Sequence, residues 1–189
     1  TLASWTQTAD FKGFVLLDTV LTEGGYNALA VSGDIDLQGG TWTCRAPGAT
    51  AMHIIGATAG GNMTVGTNAL IMAMERTFSQ RTTGATDHNA EASSHGGIGG
   101  PAEGMAPEAV KRCYGSIVNP DTFGCKGNGG QGTDGGGGVI KIAVAGKLTV
   151  HGCVTASAWS APYAGASGGS VNITCGELVG TGAWDGGWG

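Results

Sequence analysis

Between Gly138 and Gly152 apolar and polar residues alternate. Ile140, Ile142, Val144, Leu148 and Val150 share one parity, and Lys141, Lys147 and Thr149 share the other. That period of two is the signature of a half-buried strand and does not suit a helix. The same run returns from Gly169 to Gly182 with one residue deleted. A third copy, Leu29 to Gly39, matches Ile142 to Gly152 without a gap. When the doubled Gly39-Gly40 is set against Gly152, Trp42 and Cys44 take the inward parity of Val154 and Ala156. A looser fourth copy spans Ala51 to Met74 around the pair Gly60-Gly61. Its last piece, Ala69-Leu70-Ile71-Met72, also contains good helix formers, but the neighbouring copies favour strand. Phe11 to Leu21 reads as one further strand, rich in β-branched and large apolar residues.

Short alternating strands that recur roughly every 30 residues and are joined at glycines cannot bury their apolar face singly, so the copies must stack. The expectation is an all-β chain, a right-handed parallel β-helix forming a single β-solenoid domain over residues 1–189. From Phe78 to Gly137 the pattern stops. This stretch holds Ser94-His95-Gly96-Gly97-Ile98-Gly99-Gly100, a short helix predicted from Pro107, Tyr114-Gly115-Ser116, Asn119-Pro120-Asp121 and a glycine tract from Gly127 to Gly138. An excursion of about sixty residues inside a compact domain needs a reason. The reading is a glycine-rich insertion, 78–137, that packs along the flank of the solenoid, with His95, Tyr114 and Asp134 as its structural residues. Glycines in it serve where backbone lies close to backbone or takes positive φ.

The ordered set Ser94 to Gly100, Tyr114 to Ser116, Pro120, the glycine tract, Gly135 to Ile142, Leu148 to Val150, Gly168 to Ile173 and Gly180 to Gly182 resembles glycine-rich secreted or cell-surface proteins of plants, protists and bacteria. The resemblance covers roughly residues 90–189. It implies a right-handed parallel β-helix and a place outside the cell, and says little about activity. The chain departs from that pattern by setting Cys113 and Cys125 around the Tyr-Gly-Ser segment, where the family carries small residues. That departure points to a locally stapled insertion.

Composition narrows the classes. There are 38 glycines in 189 residues and only 12% charged residues, yet 41% of the chain is hydrophobic and glycine has no period of three, so neither collagen nor a disordered chain fits. A net charge of -5 leaves no basic footprint for nucleic acid. No run of 18 apolar residues exists, so no membrane span is expected. The start, Thr1-Leu2-Ala3-Ser4-Trp5, reads as a mature or trimmed end. Of five cysteines none forms a CxxC pair, which argues against zinc. Cys113 and Cys125 flank a loop and form the favoured disulfide, and Cys175, at the parity of Val144, is expected to be buried and inert. Asn62-Met63-Thr64 and Asn172-Ile173-Thr174 are glycan acceptor triplets, with Asn172 on an outward parity. Together these favour a secreted, oxidised, cell-surface setting.

Candidate chemistry is sparse. His95 with Asp87 or Glu91, and Ser94 or Ser116 as nucleophile, could be drawn as a triad, but triads are defined by geometry, and a glycine-embedded histidine is more often a hydrogen-bonding bridge between turns. The four histidines lack metal-ligand spacing. Asp34, Asp36, Asp121 and Asp134 sit in oxygen-rich turns that offer calcium less than the six to eight ligands it takes, so no cofactor is expected and calcium is the one candidate. The outward strand face is mixed rather than a paired-acid site, and no threonine ladder suited to ice recurs. Trp42 and Trp184, aligned with Val154, are expected to fill the core, while Trp159 and Trp188 fall in loops. No capping element is evident at either end of the sequence, and an open coil recruits further strands. The expected function is an extracellular structural subunit that associates with itself head to tail through Trp184, Trp188, Leu178, Phe14 and Val15, forming a filament, sheath or adhesive appendage. The alternative is a carbohydrate-binding or carbohydrate-active β-helix domain, with glycans as partners.

Overall fold

The computed structural model describes residues 1–17, 19–22, 25–26, 28–45, 52–73, 95, 114–124, 136–158 and 166–185. Twelve strands run in chain order: β1 (Trp5–Gln7), β2 (Phe14–Leu16), β3 (Thr19–Thr22), β4 (Gly25–Tyr26), β5 (Leu29–Val31), β6 (Ile35–Thr43), β7 (Met52–Ala59), β8 (Met63–Met72), β9 (Val139–Val150), β10 (Cys153–Thr155), β11 (Ser170–Gly180) and β12 (Ala183–Asp185). No helix occurs among the described residues. The helix predicted from Pro107 lies outside them.

Three parallel ladders run side by side. In the first, β1, the start of β6, the start of β8, the end of β9 and the end of β11 pair in that order, through Trp5, Ile35, Met63, Leu148 and Leu178. In the second, Val15, Trp42, Ile71, Val154 and Trp184 share a rung column across β2, β6, β8, β10 and β12. The third joins Leu2 to β5, β7, β9 and β11 through Val31, Ala59, Val144 and Cys175. Each ladder climbs one layer at a time, which makes the molecule an all-β parallel solenoid. The sequence copies therefore align in space as they align on paper. Trp42 does pair towards Val154 through Ile71, and Ala69 to Met72 is strand. The deleted residue of the last copy appears as a register shift between Cys175 and Glu177.

The inward columns form one apolar core, from Val31, Ile35 and Leu37 through Trp42, Met63, Val65 and Ile71 to Ile140, Leu148, Val150 and Val154. Cys44, Ala73 and Ala156 are also buried. At the layer corners glycine is required by contact. A Cβ on Gly137 would collide with the Ala156 carbonyl oxygen, and one on Gly169 with that of Gly138. The backbones touch there because Gly137 N–H donates to Ser167 O at 2.9 Å and Gly169 N–H to Ala156 O at 2.8 Å. Gly40 adopts φ +75°, the left-handed region open to glycine, and its missing side chain leaves room for Phe11 and Gln7.

Two expectations need correction. The single strand read from Phe11 to Leu21 is two strands, and β3 turns away to pair antiparallel with both β4 and β7. Apolar alternation is the same whichever way a neighbour runs, so the pattern carried no direction. Trp184 and Cys175 occupy the inward positions assigned to them, but Trp184 is 42% exposed and Cys175 only half-buried. Both lie in the last described layer, where no described strand covers them.

Candidate functional site

The described part of the glycine-rich segment meets the solenoid at the start of β11, and His95 is the pin. Its Nδ1 lies 2.7 Å from the Gly168 carbonyl oxygen, which can only accept, so Nδ1 carries the proton and donates. In the neutral ring Nε2 then accepts from the Thr122 hydroxyl at 2.8 Å. The imidazole also stacks at 4.9 Å and 49° on Tyr114, with which His95 forms a parallel bridge. Burial holds the His95 pKa below its ordinary 6.5, partly offset by the bond to Gly168. Neither nitrogen is spare. Tyr114 in turn donates its hydroxyl to Phe123 O at 2.8 Å, and Phe123 is buried with Ile54 and Val139 in a small second core.

Two further bonds hold the loop 114–124 to β11. Ser170 Oγ donates to Thr122 O at 2.7 Å, and Asn172 Nδ2 donates to Asn119 Oδ1 at 3.2 Å. The Asn172 nitrogen that would carry a glycan is thus already engaged, which the outward parity alone did not reveal. Asn62 is different. It stands exposed at a layer corner, its backbone N–H donating to Asp34 Oδ1 at 2.7 Å and its Oδ1 accepting Lys147 N–H at 2.9 Å. An Asp-Asn column therefore stitches three successive layers.

The tip of the same loop presents what the sequence reading missed. Ser116 Oγ accepts the N–H groups of Val118 at 3.3 Å and Asn119 at 3.1 Å, closing a turn that lifts Ile117 and Val118 into solvent at 93% and 90% exposure. An apolar pair framed by Ser116 and Asn119-Pro120 was the available signal, since turn residues on both sides leave such a pair no strand to join. That use of Ser116 gives no nucleophile-base contact with His95. Asp87, Glu91 and Ser94 lie outside the described residues, as do Cys113, Cys125, Asp134, Trp159 and Trp188.

The turn aspartates are also occupied. Besides Asp34, Asp36 accepts from Gln38 Nε2 at 2.5 Å and Asp121 from Asn119 Nδ2 at 2.7 Å. Among the described residues no group of three or more His, Cys, Asp or Glu is placed to hold a metal ion. Cys153 and Cys175 are unbridged, and burial followed by the charge of Asp185 pushes the Cys153 thiol pKa up. Of the self-association candidates, Phe14 is 70% and Leu178 53% exposed, while Val15 is partly buried against the core. No helix among the described residues is long and apolar enough to cross a membrane.

Fold and flank together define an all-β parallel solenoid with a side loop stapled to one edge. Compared with protein-family models, curated proteins and solved structures, the chain matches none.

Proposed function

We propose that the chain is a structural, non-enzymatic β-solenoid subunit that works outside the cell by stacking copies into a filament, sheath or adhesive appendage. One observation supports this above the rest. The outermost described layers leave parallel strand edges that no described strand pairs, and they expose Leu2, Phe14 and Leu16 at one end and Leu178 and Trp184 at the other. Open parallel edges offer main-chain hydrogen bonds to an added strand, and apolar surface beside them favours its burial. The corner position of Asn62 suits a glycosylated setting, in line with the likeness to glycine-rich cell-surface proteins, and the bridge expected between Cys113 and Cys125 belongs to the same reading.

Electron microscopy of the native full-length protein tests this reading. Filaments growing by roughly 20–25 Å per copy, at about 4.8 Å per layer, are expected; isolated particles at every concentration would sink it.

A second reading, a carbohydrate-binding domain, draws on one feature. An open groove of about 400 Å³ runs along the outward face past Ala30, Thr58, Ala143, Ala145 and Thr174. Binding of defined oligosaccharides by a monodisperse protein, weakened by Thr58→Trp, would favour it.

A further inference from the structure

The two end layers can be compared position by position because each ladder has defined rung partners on either side of the register shifts at Leu37/Gly39 and Cys175/Glu177. At the upper end four of the inward columns finish in Cys175, Leu178, Gly180 and Trp184, and Val171 and Ile173 end two more, which begin at Ile55 and Leu29. At the lower end the same four columns begin with Leu2, Trp5, Gln7 and Val15. Setting the lower layer of one copy on the upper layer of another brings Leu2 over Cys175, Trp5 over Leu178, Gln7 over Gly180 and Val15 over Trp184. In each of these pairs a larger side chain meets a smaller one, as an interdigitated core requires. Trp184, left with Val154 on one side, would gain Val15 on the other. Trp42 is fully buried between just such neighbours, Val15 and Ile71.

The outward rungs agree. Thr6 would stand over Val179 and Leu16 over Asp185, so no like charges meet, and Glu177 keeps its partner Lys147 at 3.0 Å within its own chain. Direction is fixed too, since the pairings within the three ladders are parallel, with only β3 and β4 antiparallel beside β7, and they stay parallel only when the upper end of one copy meets the lower end of another. The contact is heterologous and propagates.

We propose that a second copy of this chain occupies the β11–β12 edge in this register, Thr6 pairing with Val179. The inference rests on the self-association reading above and names its interface, a continuation of the layer-on-layer contact already built inside the chain.

Paired strands bring facing Cα atoms within disulfide reach, so cysteine pairs report register. The full-length Thr6→Cys/Val179→Cys variant, both positions outward-facing, is oxidised alongside Thr6→Cys/Glu177→Cys, which would pair only after a two-residue slip. Non-reducing electrophoresis and mass spectrometry of the linked peptides give the readout, with sedimentation of the unmodified protein run in parallel. Expected is a ladder of oligomers linked through residues 6 and 179 in the first variant and its loss in the second. Cross-linking through 177 instead, or association without either link, overturns the register and leaves self-association standing. A protein that sediments as a monomer at all concentrations, as it would if a further layer of its own chain covered β11, overturns both.

Discussion

Trp42 and Trp184 hold the same inward place in the same ladder, yet one has no exposed surface and the other is 42% exposed. Their local sequences, Thr-Trp-Thr and Ala-Trp-Asp, are both strand. The difference is axial. Trp42 has Val15 and Ile71 on its two sides, the edge of Trp5 at 6.2 Å, and Gln7 Oε1 accepting its Nε1–H at 3.3 Å, whereas Trp184 has only Val154 as a described rung neighbour. In a stacked fold, parity decides which way a side chain points and the next layer decides whether it is buried.

The contrast can be broken from either side. Trp42→Ala should cost about 3–5 kcal/mol, since it leaves a cavity among layers that cannot collapse onto one another, and denaturant unfolding will show it. Trp184→Ala should cost only about 2 kcal/mol of chain stability by losing its buried half, with no cavity left between layers. The same change should reduce oligomers in sedimentation, so similar losses of stability at the two sites would refute the axial account.

The flank adds a pH test. The folded His95 pKa lies below the unfolded value near 6.5, so between the two the unfolded chain binds more protons and stability rises with pH. The contribution is therefore present above the unfolded value, is lost as pH falls through the folded pKa, and is level below it. Thermal unfolding of His95→Gln should lack that slope. The smallest effect is expected at Lys147–Glu177, whose side chains are half-exposed: Glu177→Gln should change stability by less than about 0.5 kcal/mol, and less still in high salt.

Much of the solenoid was legible before any coordinates. Glycine corners and alternating parity fixed the layer-to-layer alignment of Leu29, Ile142 and Ile173, and even placed Trp42 over the later valine column, because one face of every strand is buried and a slip of one residue would turn the core outward. Strand direction was not legible at Thr19 to Thr22, nor was exposure at Cys175 and Trp184, which depends on a neighbour far away in sequence. His95 stood out as a bridge, but its partners did not. A backbone carbonyl such as that of Gly168 leaves no mark in the sequence, and Thr122 and Asn119 become partners only once the loop folds against Ser170 and Asn172. The Ile117–Val118 tip was overlooked because reading for periodicity discards pairs too short to make an element.

The long connection between β8 and β9 has a consequence for how such a chain can change. Met63 still pairs with Leu148, and Leu70 with Cys153, as though the intervening residues were an ordinary corner. Closing a loop of about sixty residues rather than four costs only about 2 kcal/mol more, because the penalty grows with the logarithm of length. The corner after β8 can thus take up added or lost length at little cost, provided that His95 and the loop 114–124 keep their bonds to Gly168, Ser170 and Asn172 and Phe123 keeps its place against Ile54 and Val139.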